Sequence, residues 1–174
     1  MRPEKYLYPR APALIAVISL LLTACSGYQF VLNDNVLYSP SNQPPPSLLS
    51  DPNLQGCLNQ QFANAGNDDP RNIKLLACPS SAVQSLEGIR ELPNLEQLEL
   101  SDNNISDISP LLGLRNLRVL SARNNRISNI NPLMSLPILR FVALQGNNAI
   151  TCRQLDALEE KIGNSLNRPV NCSN

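Results

Sequence analysis

Leu95-Glu96-Gln97-Leu98-Glu99-Leu100-Ser101-Asp102-Asn103-Asn104-Ile105-Ser106-Asp107-Ile108-Ser109-Pro110-Leu111-Leu112-Gly113-Leu114 decides the fold. Its aliphatic slots are 95, 98, 100, 105, 108, 111 and 114, with an asparagine at 103. Twenty-two residues on, the same slots hold Leu117, Leu120, Ala122, Asn125, Ile127, Ile130, Leu133 and Leu136. A further step gives Leu139, Val142, Leu144 and Asn147, and Ala149 still fits. Stepping back gives Ile73, Leu76, Cys78, Ser81, Val83, Leu86, Ile89 and Leu92. No insertion interrupts this register, which marks an internal repeat.

Each slot has a physical reason. Leu98 and Leu100 are two apart, so they face one side of a short strand. Parallel strands stacked coil on coil bury that side. Asn103, Asn125 and Asn147 stand where the chain turns, and an amide there both donates to and accepts from the backbone of adjacent coils. Ser81 occupies this slot in the first coil, so a weaker or capped turn is expected there. Ile105, Ile108, Leu111 and Leu114 recur every three residues, and Pro110 and Pro132 disfavour a regular helix, which predicts a 3₁₀ or extended return.

The spacing L-x-x-L-x-L-x-x-N resembles that of leucine-rich repeats, and the run 104–111 closely resembles the repeat of the bacterial internalins. The resemblance covers roughly residues 72–148. It implies an α/β class and a short leucine-rich-repeat solenoid, with a parallel β-sheet on the concave side and a 3₁₀ or extended convex side. Its motifs are specific for the fold and nearly silent on the partner. The array departs from the family in having three full coils and one partial. Internalins are also surface proteins of Gram-positive cells, so host-cell invasion does not carry over.

The open ends of a solenoid need covers. Asp51-Pro52 reads as helix N-cap and first helical residue, followed by a stripe of Leu54, Cys57, Leu58 and Phe62 over roughly 52–64. Gly66 and the run Asn67-Asp68-Asp69-Pro70 turn the chain into the first coil. Thr151-Cys152-Arg153-Gln154 has the form of a capping box ahead of Leu155, Leu158 and Ile162, with Gly163 closing the helix. Four cysteines bracket the array. They allow three pairings, and Cys57–Cys78 with Cys152–Cys172 is the expected one, because each pair sits at one end. Each bond would stabilise by about 3 kcal/mol on the loop-entropy account. Zinc ligation competes weakly, since no C-x-x-C spacing is present.

The first segment reads as an export signal. Arg2, Lys5 and Arg10 precede the apolar run 11–22, which is too short for the roughly 20 residues that span a bilayer. It ends at Leu22-Thr23-Ala24-Cys25, which resembles the lipobox of bacterial lipoproteins. The resemblance implies cleavage before Cys25, a diacylglycerol on its sulfur and a membrane anchor; an ordinary secretory signal is the alternative. Ser26 after the cysteine implies sorting to the outer membrane of a Gram-negative envelope. The expected organisation is signal peptide 1–24, lipidated tether 25–50, N-terminal cap 51–72, repeats 73–148 and C-terminal cap 149–174. Within the tether, residues 28–38 read as flexible in preference to a hairpin around Asn33-Asp34-Asn35, and the proline-rich stretch 39–47 reads as a stiff spacer.

Composition narrows the chemistry. Cleavage would leave 11 Lys/Arg and 13 Asp/Glu, so no basic excess points to nucleic acid. The chain has no histidine, which removes the Ser-His-Asp and Cys-His schemes and imidazole metal ligands. Glu159 and Glu160 are adjacent and point apart on a helix, which reads as solvated charge. No catalytic, metal or cofactor site is expected; the only attached group is the lipid on Cys25.

The concave surface is built from strand residues between the buried leucines: the rows Leu75, Gln97, Val119, Phe141 and Ala77, Glu99, Ser121, Ala143, with Arg123 in a third. Glu99, Val119, Arg123 and Phe141 are the expected partner-binding residues, because aromatic and arginine side chains anchor interfaces. Alternatively, Phe141 merely covers the edge beside the C-terminal cap. The expected function is a protein–protein interaction module on the outer membrane, bound to a protein or peptide partner. A glycan or peptidoglycan binder and a structural envelope component are the alternatives.

Overall fold

The computed structural model describes residues 30–32, 35–38, 47–66 and 68–172. The stretch read as an export signal, Cys25 expected to carry lipid, Asn33-Asp34, the proline-rich stretch up to residue 46 and Asn67 lie outside the described residues. Met1–Pro44 and Pro45–Asn174 are separate compact units. In the first, β1 (Phe30–Leu32) and β2 (Asn35–Tyr38) pair antiparallel, with Leu32 opposite Asn35, Val31 opposite Val36 and Phe30 opposite Tyr38. The register shifts between Phe30 and Val31, which marks a bulge. The segment is therefore a hairpin and not a featureless tether, and Asn35 belongs to a strand instead of the turn.

The second unit opens with helix α1 (Pro52–Ala65) and a 3₁₀ turn, Pro70–Asn72. Strands β3 (Leu75–Ala77), β4 (Gln97–Glu99), β5 (Val119–Ser121) and β6 (Phe141–Ala143) follow, one per coil. They run parallel at the 22-residue register: Leu76 lies beside Leu98, Leu98 beside Leu120, and Leu120 beside Val142. The returns are 3₁₀ at Ile89–Glu91 and Ser109–Gly113, and a short helix α2 (Asn131–Met134) in the third coil. Helix α3 (Cys152–Ile162) covers the far end, and β7 (Leu166–Asn167) adds a fifth strand beside β6. Among the described residues the architecture is the expected α/β leucine-rich-repeat solenoid.

The aliphatic slots form one continuous interior. Leu76, Leu98 and Leu120, and likewise Ile89, Leu111 and Leu133, are essentially inaccessible. The asparagines stitch the coils together. Asn147 Nδ2 donates to Leu144 O of its own coil at 3.0 Å and to Ala122 O of the preceding coil at 2.8 Å, while its Oδ1 accepts from Ile127 N at 3.0 Å. Asn125 repeats this with Ala122 O, Leu100 O and Ile105 N. Asn103 serves Leu100 O, Cys78 O and the Ser81 and Val83 amides. Ser81 lacks this reach: its hydroxyl donates to Pro79 O within its own turn and otherwise meets Cys57 Sγ of the cap helix, bridging no neighbouring coil. One residue ahead of each slot, the backbone is left-handed at Ser80, Asp102, Asn124 and Gly146. Asp, Asn and Gly tolerate that region best. At Gly146 a Cβ would stand 2.1 Å from Asn124 Oδ1, so glycine is required twice over.

The register holds through Asn147 and then slips. Ala149 is exposed and Ile150 is buried in its place, because the turn Asn147–Ile150 closes into the N-terminus of α3. Strand β7 pairs Leu166 with Val142, 24 residues apart, since a helix has replaced the ordinary return.

The caps differ from expectation at one point. Cys152 and Cys172 are bonded, with Cα atoms 5.4 Å apart. The expected Cys57–Cys78 bond is not formed: both are thiols, Cys57 half-buried and Cys78 buried. They lie within hydrogen-bonding reach of each other, and burial first, then Cys57, pushes the Cys78 thiol up. Cys57 Sγ also lies 3.5 Å from Ser81 Oγ. Hydrogen bonds anchor this cap instead. Asp51 Oδ1 accepts from Asn53 N and Leu54 N to cap α1, while Oδ2 accepts from Gln84 N and Ser85 N of coil one. The buried Gln55 Oε1 takes the amides of Leu48 and Leu49, so the chain enters the cap at residues 47–50, ahead of the expected boundary at 51. Gly88 makes room for that segment, since a Cβ there would meet Leu48 O at 2.2 Å.

Candidate functional site on the concave sheet

Alternation along each strand sends one side chain inward and its neighbours out. Residues 75 and 77, 97 and 99, 119 and 121, and 141 and 143 therefore share the outer face of the sheet, in lateral register. Small residues beside a carboxylate leave a shallow depression in this face, about 120 Å³ in volume. Leu75, Ala77, Gln97, Leu98, Glu99, Val119 and Ser121 line it. Among the described residues, no group of three or more His, Cys, Asp or Glu is clustered to hold a metal ion.

Glu99 is the one charged group in the lining. Its Oε1 accepts from Ser101 N at 2.7 Å, and the Ser101 and Ser121 hydroxyls, both buried, are 3.0 Å apart beside it. Burial alone raises the Glu99 pKa. Hydrogen bonds from the Ser101 and Ser121 side chains and the Ser101 amide, with the charge of Arg123, outweigh it and hold the carboxyl below its ordinary range. Glu99 is thus an anion whose direction is fixed by two serines.

Of the four residues singled out by sequence, Glu99 and Val119 line the depression. Phe141 lies next to Val119 across the β5–β6 pairing, half-buried, outside the lining. Arg123 is exposed two residues past β5 and acts on Glu99 through its charge. Sequence reasoning missed the serine pair. The available signal was a serine just past the carboxylate's own strand, Ser101, and another in the neighbouring strand, Ser121. The depression itself lies over β3–β5, whereas the sequence-chosen residues extend to Phe141 of β6.

A separate column forms the rim ahead of the strands. Lys74 and Arg118 each approach the Glu96 carboxylate at 3.6 Å, and Arg140 continues the column, exposed.

No family model matches the sequence, and no curated protein matches it. Solved structures do. The chain is similar to an internalin, InlF, of Listeria monocytogenes, at 32% identity and a TM-score of 0.54 over 59% of this chain and 32% of that one. It is similar to internalin C2 of the same organism at 26% identity and a TM-score of 0.54, over 60% of this chain and 49% of that one. The chain thus spans about a third of the length of one of these proteins and about half of the other. The repeats of this chain are internalin-like leucine-rich repeats, built as a short α/β solenoid.

Proposed function

We propose that this chain is a protein-interaction module of the bacterial envelope, held at the outer membrane by lipid on Cys25, which docks a protein or peptide partner on its concave sheet. The observation that carries the reading is the concave face itself: a half-buried anion set among apolar residues on a rigid, regularly hydrogen-bonded support. Protein is favoured over glycan because no aromatic ring lines the depression on which a sugar could stack. The anchor is supported by the sequence Leu22-Thr23-Ala24-Cys25, and export by the closed Cys152–Cys172 bond.

A photo-crosslinking residue at Val119 in intact cells tests the docking face. The expected result is a discrete protein adduct that is lost in the Phe141→Ala/Arg123→Ala double variant; an adduct indifferent to that variant would sink the assignment. Palmitate labelling, abolished by Cys25→Ser and by inhibition of lipoprotein signal cleavage, tests the anchor.

A further inference from the structure

We infer that the depression on the concave sheet seats a single lysine or arginine side chain of the partner, its cation against Glu99 and its aliphatic stem between Leu75 and Val119. This rests on the concave-face reading and specifies the partner that reading leaves open.

Size comes first. The depression, about 120 Å³, is well below the ~300–1,000 Å³ of ordinary small-molecule sites, and is several times the ~30 Å³ share of one water. It accommodates the end of a side chain. Wall chemistry comes second. Leu75, Ala77 and Val119 are apolar and Leu98 forms part of the lining, while Glu99 is the only ionised group in it. Long basic side chains match such a surface, since they lay their methylenes on apolar walls and carry the charge at the tip.

Charge decides the sign. Glu96 on the rim already has two cationic partners, Lys74 and Arg118. Glu99 makes no ion pair with any described residue, and the Arg123 charge reaches it without closing a contact. Ser101 N and the serine hydroxyls point the carboxylate but leave it unneutralised. A partner that covered Glu99 with apolar or acidic surface would strand a half-buried charge, at a cost set by its lost solvation. A cation removes that cost. The rim column of Lys74, Arg118 and Arg140 bears a net positive charge and repels further basic residues on that side, and the Arg123 charge does so past the strands. The site therefore selects one basic residue in a neutral or acidic surrounding, and not a polybasic tract.

The test is an NMR titration of the isotope-labelled full mature chain with four probes: the Nα-acetyl amides of lysine, arginine, citrulline and norleucine. The lysine or arginine probe is expected to shift the backbone signals of Glu99, Val119 and Ser121, with citrulline and norleucine at least about tenfold weaker, the size of one charge-assisted hydrogen bond. Glu99→Gln should remove that preference without lowering the thermal midpoint, whereas Glu96→Gln should leave it intact. Norleucine binding as well as lysine would overturn the cationic anchor while leaving the concave face as the docking surface. Absence of any shift from the two cationic probes would overturn the inference alone, since the crosslinking experiment reports on the face independently. Shifts confined to residues off β3–β5 would count against both.

Discussion

At the residue scale, the asparagine ladder does what the leucines cannot. Packing aliphatic side chains says nothing about the turn amides and carbonyls that each coil buries, and a buried polar group without a partner costs about 1–3 kcal/mol. Asn147, essentially inaccessible, bonds two carbonyls and one amide across two coils. Asn147→Ala is therefore expected to cost roughly 3 kcal/mol or more in urea unfolding. Asn147→Asp should recover little, because a carboxylate restores the acceptor for Ile127 N and not the donors. Loss of less than about 1 kcal/mol in the alanine variant would mean that water replaces the amide freely. This function of the asparagine was legible from its 22-residue recurrence. The left-handed residue before it was not, because Ser80, Asp102, Asn124 and Gly146 share no side-chain type, only a tolerance of positive φ.

At the element scale, the N-terminal cap is the instructive case. Its helix was legible from Asp51-Pro52 and the apolar stripe, and it spans Pro52–Ala65 against an expected 52–64. Its attachment was not. Asp51 was read as a helix cap only, yet its second oxygen binds Gln84 N and Ser85 N of the first coil, a contact between residues more than thirty apart that no local pattern encodes. Burial raises the Asp51 pKa, but four backbone amides outweigh it and hold the carboxyl below the ordinary aspartate value of 3.8. A depressed folded pKa contributes stability above the unfolded value, and that contribution is lost as pH falls through the folded one. Asp51→Asn keeps a cap acceptor but turns a donor toward Gln84 and Ser85. It is expected to destabilise by roughly 2 kcal/mol at neutral pH, with the gap from the parent closing below about pH 4. A gap independent of pH in thermal scans would remove the charged state from the account. The C-terminal cap has a comparable device: Lys161 Nζ donates to Leu133, Met134 and Leu136 carbonyls at the end of α2, at 3.0, 2.8 and 2.6 Å.

At the scale of the molecule, a repeat of unbroken 22-residue register predicted the sheet, its pairing and its core almost residue for residue, since each coil poses the same burial problem. What escaped the sequence lies where the repeat stops: the slip to Ile150, the two-residue strand β7, the free thiols of the first cap. The site was half legible for the same reason. Periodicity places Glu99 and Val119 on the outer face, but the depth of the depression depends on neighbouring small residues and on serine hydroxyls, which no spacing rule weighs. The claim on which everything rests is that alternate strand residues divide between a sealed interior and an open concave face. Single added cysteines in a Cys25→Ser/Cys57→Ser/Cys78→Ala background, with the Cys152–Cys172 bond kept, measure that division directly through native-state thiol reactivity. Gln97→Cys, Val119→Cys and Phe141→Cys should react freely, while Leu98→Cys, Leu120→Cys and Val142→Cys should react only through unfolding, slower by several orders of magnitude. Equal rates in the two sets, or the reverse order, would contradict the solenoid.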